Sequence, residues 1–230
     1  MKMVFIHGSG AAGAVWYYQK QHFKDADTPD LPGHPDGRPC NSVEEYADWL
    51  HDYIRAKNYE DVILAGHSLG GAVTLQYAIK YPADLKAIIL IGTGARLRVL
   101  PQIIETIRSK LDAPREWLNE FVKPLYSSIN KDLWNILEPV LQRVGPAPQL
   151  NDFLCCDKFD IMDKVSSVNL PALAIVGDKD NMTPPKYSQY MADNMPCCKM
   201  ALIKGGTHLA FMENPHRVNE VIEKFINELK

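Results

Sequence analysis

Leu64-Ala65-Gly66-His67-Ser68-Leu69-Gly70-Gly71-Ala72-Val73 joins two kinds of backbone within ten residues. The apolar run from Val62 to Ala65 is nearly continuous and rich in β-branched residues, as in a strand buried on both faces of a parallel sheet. From Leu69 to about Tyr81 the pattern is helical, and Pro82 stops it. Between the two, one serine stands two residues from a glycine on either side. Glycines make turns and serines cap helices, so Ser68 alone can be punctuation. The rest of the chain decides otherwise.

Working outward, four more short, nearly continuous apolar runs read likewise as strands buried on both faces: Met3 to Ile6, Ala87 to Ile91, Leu173 to Val176 and Met200 to Ile203. A weaker sixth candidate, Asp25 to Leu31, precedes Pro-Gly-His-Pro-Asp-Gly. Helices alternate with them. Ser42-Val43-Glu44-Glu45 is a capping box opening a helix to about Lys57, with Val43, Tyr46, Ala47, Leu50, Tyr53 and Ile54 on one stripe. Asn214 is placed to cap a last helix that has Pro215 at its first position. This alternation predicts a doubly wound, mostly parallel α/β sheet. From Leu97 to Val168 it lapses. That span holds only helix-like stretches containing Trp117, Phe121, Tyr126 and Trp134. The expected organisation is a core in two parts, 1–96 and 169–230, interrupted by a helical insertion, 97–168.

The net charge of −3 is spread along the chain, which leaves no basic footprint for a nucleic acid. No apolar run approaches the roughly 20 residues that span a bilayer. The start Met-Lys-Met-Val-Phe-Ile-His-Gly has too short an apolar part for a signal peptide, so a cytoplasmic protein is expected. Five cysteines, with Cys155-Cys156 and Cys197-Cys198 adjacent, form no disulfide framework and no metal-ligand spacing. Reduced thiols and no metal are expected.

Gly66-His67-Ser68-Leu69-Gly70 fits G-x-S-x-G, a sharp strand-to-helix turn that exposes a serine hydroxyl at a helix N-terminus. A serine needs a base. Of the seven histidines, His208 follows a strand through the flexible Gly205-Gly206-Thr207 loop. His67 should point away from Ser68, and His22, His34 and His51 read as surface or structural. The base needs an orienting carboxylate. No acid lies between Asp84 and Glu105, whereas Asp178 and Asp180 both follow the strand Leu173 to Val176.

With these pieces, and with His7-Gly8-Ser9-Gly10, Asp30-Leu31-Pro32-Gly33-His34 and Gly206-Thr207-His208, nearly the whole chain resembles the α/β-hydrolase superfamily, in its lidded bacterial serine-esterase form. The resemblance implies the chain-ordered triad Ser68, Asp180 and His208. In relatives with G-x-x-D the fourth position is the acid, which favours Asp180 over Asp178. It also implies an oxyanion hole from the backbone N–H of Leu69 and one from the His7–Gly10 loop, Ser9 first and Gly10 next. The insertion 97–168 corresponds to a helical cap over an apolar pocket. Gly10, Trp16, Phe121 and Trp134 are candidates to line it, although the aromatics can equally pack in the core. Two departures stand out. The first two strands of the family are missing, leaving about six, and Pro35 replaces a glycine in the loop after Leu31.

The implied activity is hydrolysis of small to medium, largely apolar carboxylic esters through an acyl-enzyme, with no cofactor. The partner would be a small-molecule ester, and the protein a monomer or homodimer. Carbon–carbon bond hydrolases and the menaquinone-pathway synthase resemble the same triad. They need basic residues, for which Arg96 and Arg98 are candidates. A non-catalytic ligand-binding relative is the third reading.

Overall fold

Alternate residues of each apolar run face opposite sides of one sheet, because strand side chains repeat every two residues. In a computed structural model, which describes residues 1–229, the runs become β1 (Lys2–Ile6), β2 (Val62–His67), β3 (Leu85–Ile91), β4 (Ala172–Gly177) and β5 (Cys198–Ile203). All neighbouring pairs are parallel, and spatial order equals chain order. Val4, Ile6, Val62, Leu64, Ile88 and Leu90 meet the helices Val43–Ala56 and Leu69–Lys80 on one face. Phe5, Ile63, Ala65, Ile89 and Ile91 meet Trp16 and the helix Pro215–Asn227 on the other. The doubly wound α/β architecture is therefore present.

The sixth expected strand is not. Asp25 to Leu31 contributes one parallel bridge, Val4 to Asp27, outside β1. Asp27 N–H donates to the Met3 carbonyl and Phe5 N–H to the Asp27 carbonyl. Pro29, lacking an N–H, cannot continue the ladder two residues on. Burial on both faces also fails for β5. As the sheet edge, it leaves Lys199 and Leu202 exposed, the latter by 54%.

The caps differ from expectation in detail. Ser42 Oγ accepts from Glu45 N–H at 3.1 Å, but the Glu45 carboxylate reaches past the cap to Asn41 N–H, at 2.8 Å. Asn214 precedes the last helix without a side-chain capping bond, and Pro215 occupies its first turn.

Residues 97–168 hold the helices Pro101–Arg108, Lys131–Val144 and Pro146–Lys158 and a π-helical turn at Trp117–Val122. The segment leaves and re-enters the body as a pair. Leu97 N–H donates to the Phe159 carbonyl and Ile161 N–H to the Ala95 carbonyl, with an antiparallel bridge from Arg96 to Asp160.

Because the strands are parallel, the loops after β1, β2, β4 and β5 all leave from one edge of the sheet. Two glycines set how closely that edge is built. A Cβ at Gly66 would collide with the Gly70 carbonyl, and one at Gly70 with the carbonyls of Ile6 and His7. The helix after Ser68 thus lies directly on β1 and β2. Gly70→Ala should lower stability by about 3 kcal/mol through overpacking, seen as a thermal midpoint about 10 °C lower. A midpoint essentially unchanged would show that the helix can lift off the strands.

Candidate active site

Ser68 sits where β2 ends and the helix Leu69–Lys80 begins, at φ 54° and ψ −116°. A non-glycine residue pays for positive φ in steric strain and holds it only when its surroundings demand it. Here they do. Ser68 N–H donates to the Ile91 carbonyl at 3.0 Å, and the Ser68 carbonyl accepts from Gly71 N–H, Ala72 N–H and Thr93 Oγ1. The side chain is half-buried and lines a cavity of about 310 Å³.

His208 lines the same cavity. Its Nδ1 lies 2.9 Å from Asp180 Oδ2. An ionised carboxylate only accepts, so Nδ1 carries the proton and Nε2 is the basic nitrogen. Asp180 is itself fixed. Its Oδ1 accepts from Met182 N–H and Thr183 N–H, and its Oδ2 from Thr183 Oγ1. Burial by itself would raise the Asp180 carboxyl, but the His208 and Thr183 bonds outweigh it and hold the group below the usual aspartate value. Asp178 points elsewhere: its Oδ1 accepts from Gly205 N–H at 2.8 Å and braces the loop before His208.

His67 does not simply turn away. Its Nε2 donates to the His208 carbonyl at 3.0 Å, and its ring packs on His208 and Phe211. Burial, then the neighbouring His208, lowers its pKa to about 3, so it stays neutral. It anchors the His208 backbone.

Opposite lies the loop after β1. Ser9 and Gly10 both line the cavity. Gly10 N–H is consumed, however, because it donates to Asp152 Oδ2 at 2.9 Å. That removes Gly10 as an oxyanion donor and leaves the N–H of Ser9 as the candidate beside that of Leu69. Asp152 is fully buried, and it also takes His34 Nε2 at 2.8 Å and Tyr46 OH at 2.9 Å. Burial alone would lower the His34 pKa, but Asp152 reverses the direction and raises it. His7, behind the loop, is held neutral: burial first, and His34 next, lower its pKa to about 3. Its Nε2 accepts from Leu31 N–H, and its Nδ1 donates to the Gly8 carbonyl.

Three expected pocket residues lie elsewhere. Trp16 is fully buried between Phe5 and Phe211, with ring centroids 4.9 and 4.4 Å away. Phe121 and Trp134 pack against the apolar cluster on the sheet face that holds Phe5 and Trp16, Trp134 beside Tyr126. The cavity wall from 97–168 is instead Val122, the stretch from Pro124 to Ser128, Gln149 and Phe153. A π-helical turn rotates side chains off the 3.6-residue pattern, so periodicity misassigns the inward face around Phe121. Gln149 and Asp152 went unrecognised. Their signal was polar residues on the stripe Gln149, Asp152, Phe153, Cys156, which is buried throughout. All five cysteines are free. Among the described residues no group of three or more His, Cys, Asp or Glu is arranged to hold a metal, and no helix is long and apolar enough to cross a membrane.

A folded-state pKa raised above the unfolded value marks stability that is full below about 6.5 and fades as pH rises through the folded value. His34 is such a group. Asp152→Asn should therefore lower the thermal midpoint most at about pH 6, and the deficit should shrink towards about pH 9. A deficit independent of pH would mean that His34 is uncharged in the folded protein.

Residues 3–221 match the model of the Alpha/beta hydrolase family. The pimeloyl-[acyl-carrier protein] methyl ester esterase of Aeromonas hydrophila subsp. hydrophila is 24% identical over 241 residues, spanning 97% of this chain and 94% of that protein. A solved thermophilic esterase superposes with a TM-score of 0.81 at 30% identity, over 99% of this chain and 90% of that one. MenH from S. aureus superposes with a TM-score of 0.84 at 21% identity, over 100% and 94%, which is a likeness of fold.

Proposed function

The chain belongs to the Alpha/beta hydrolase family, and we propose that it is a serine carboxylesterase working through an acyl-enzyme. One observation carries this reading. His208, held by the buried Asp180 at 2.9 Å, shares a cavity with Ser68, whose positive φ is locked above the end of β2. Ser68 Oγ attacks the ester carbonyl and His208 Nε2 takes its proton. The tetrahedral oxyanion sits between the N–H groups of Leu69 and Ser9, each donor worth roughly 3 kcal/mol in the transition state. His208 then protonates the leaving alcohol, and water activated by the same nitrogen releases the acid.

The residues 97–168 act as a cap in this scheme. Val122, Phe153, Leu209 and Met212 make the cavity largely apolar, which suits small to medium acyl groups. Carbon–carbon or synthase chemistry on acidic substrates finds less support. Arg96 and Arg98 lie outside the cavity lining, and both face Asp160 at 3.7 Å. A non-catalytic binding role would leave the Asp180–Thr183–His208 array without a purpose.

A fluorophosphonate probe should label Ser68 in the wild type and fail in Ser68→Ala, which should fold normally but lose hydrolysis of p-nitrophenyl esters. A protein that resists the probe and cleaves no activated ester overturns the proposal. Asp180→Asn should cost about 10⁴-fold in kcat by releasing the His208 tautomer, whereas Asp178→Asn should cost far less. Equal losses would show that the acid is misassigned.

A further inference from the structure

Gln149 is only 4% exposed, yet its side chain lines the cavity. It lies over Gly10, where a Cβ would approach Gln149 Cβ to 2.6 Å and Cγ to 2.8 Å. Its Oε1 accepts from Trp117 Nε1 at 2.6 Å, and Trp117 is fully buried. An indole N–H can only donate, so the amide oxygen must face the ring and the NH₂ must face away from it. Among the described residues Trp117 is the sole polar partner of this side chain. The amide is thus oriented by one buried group and left with two donors that no protein atom takes. Gln149 Nε2 itself is not sealed from solvent. The donors open into the cavity, and a substrate that displaces water from them without supplying an acceptor leaves them unpaired at a cost.

We propose that Gln149 determines specificity by donating to a neutral oxygen acceptor on the acyl group, so that the preferred substrates are oxo- or alkoxy-substituted esters rather than plain alkanoates. The inference rests on the esterase reading. Position supports it. Gln149 packs on the residue next to Ser9, hence near the oxyanion side of the reacting carbonyl. The alcohol must instead lie towards His208, which protonates it. A neutral acceptor fits because Gln149 is uncharged, its cavity neighbours Val122 and Phe153 are apolar, and Lys179, the cation among the lining residues, is exposed to solvent.

The test uses matched esters of equal chain length: p-nitrophenyl 4-oxopentanoate against pentanoate, and methoxyacetate against butyrate. Each kcat/KM is divided by the rate of hydroxide hydrolysis of the same ester, which removes intrinsic reactivity. The wild type should favour an oxygenated member by about tenfold, the worth of one such bond. Gln149→Leu should bring that ratio to about one. Trp117→Phe, which frees the amide to turn, should lower it partway, and it serves as the test if the leucine variant does not fold. A wild-type ratio near one for both pairs, or a preference that survives in Gln149→Leu, overturns the inference. If Ser68 is neither labelled nor active, the esterase reading fails separately. Ser68→Ala is then titrated with methyl 4-oxopentanoate and methyl pentanoate, read by tryptophan fluorescence. Tighter binding of the oxo ester that is lost with Gln149→Leu sustains the role of Gln149, and equal binding overturns it.

Discussion

The positive-φ backbone at Ser68 costs roughly 1–3 kcal/mol, and several hydrogen bonds hold it there. Ile91 holds the amide, while Thr93 and the first turn of the following helix hold the carbonyl. The turn also requires the helix Leu69–Lys80 to press on β1 and β2, which Gly66 and Gly70 allow by having no side chains. Much else is placed by this constraint. Ser68 is brought to the sheet edge, and the loops after β1, β4 and β5 converge on the same cavity because the strands are parallel.

The helical segment does more than supply part of the cavity wall. Asp152, from the helix Pro146–Lys158, reaches across to Gly10 and ties the loop after β1 to His34 and Tyr46. A buried carboxylate with three hydrogen-bond donors is far less costly than a bare one, and removing any partner would expose that cost. The proposed oxyanion loop is therefore held from the body by His7 and from the segment by Asp152. From three residues earlier on the same helical stripe, Gln149 orients its amide against Trp117. Loop geometry and the proposed acyl selectivity are coupled through one helix.

Local sequence was informative where chemistry depends on neighbours in the chain. The strand–turn–helix around Ser68, the loops carrying Asp180 and His208, and the five apolar runs could all be read from spacing and residue type. The same logic misjudged Asp25 to Leu31, where Pro29 ends the pairing after a single bridge, and the doubly buried reading of β5, which lies at an edge. It placed Trp16 ambiguously, because an aromatic beside a loop looks the same whether it faces a cavity or packs between Phe5 and Phe211.

By itself, the sequence determined the parallel α/β frame and which side chains were candidates for the reactive atoms, because periodicity and turn chemistry act over a few residues. Only the tertiary structure decided which partners those atoms meet. Asp180 rather than Asp178 faces His208, Gly10 N–H is taken by Asp152 more than a hundred residues away, and Val122 rather than Phe121 faces the cavity. Each outcome depends on long-range contacts or on a π-helical turn that breaks the regular period, and neither leaves a mark in the local pattern of residues.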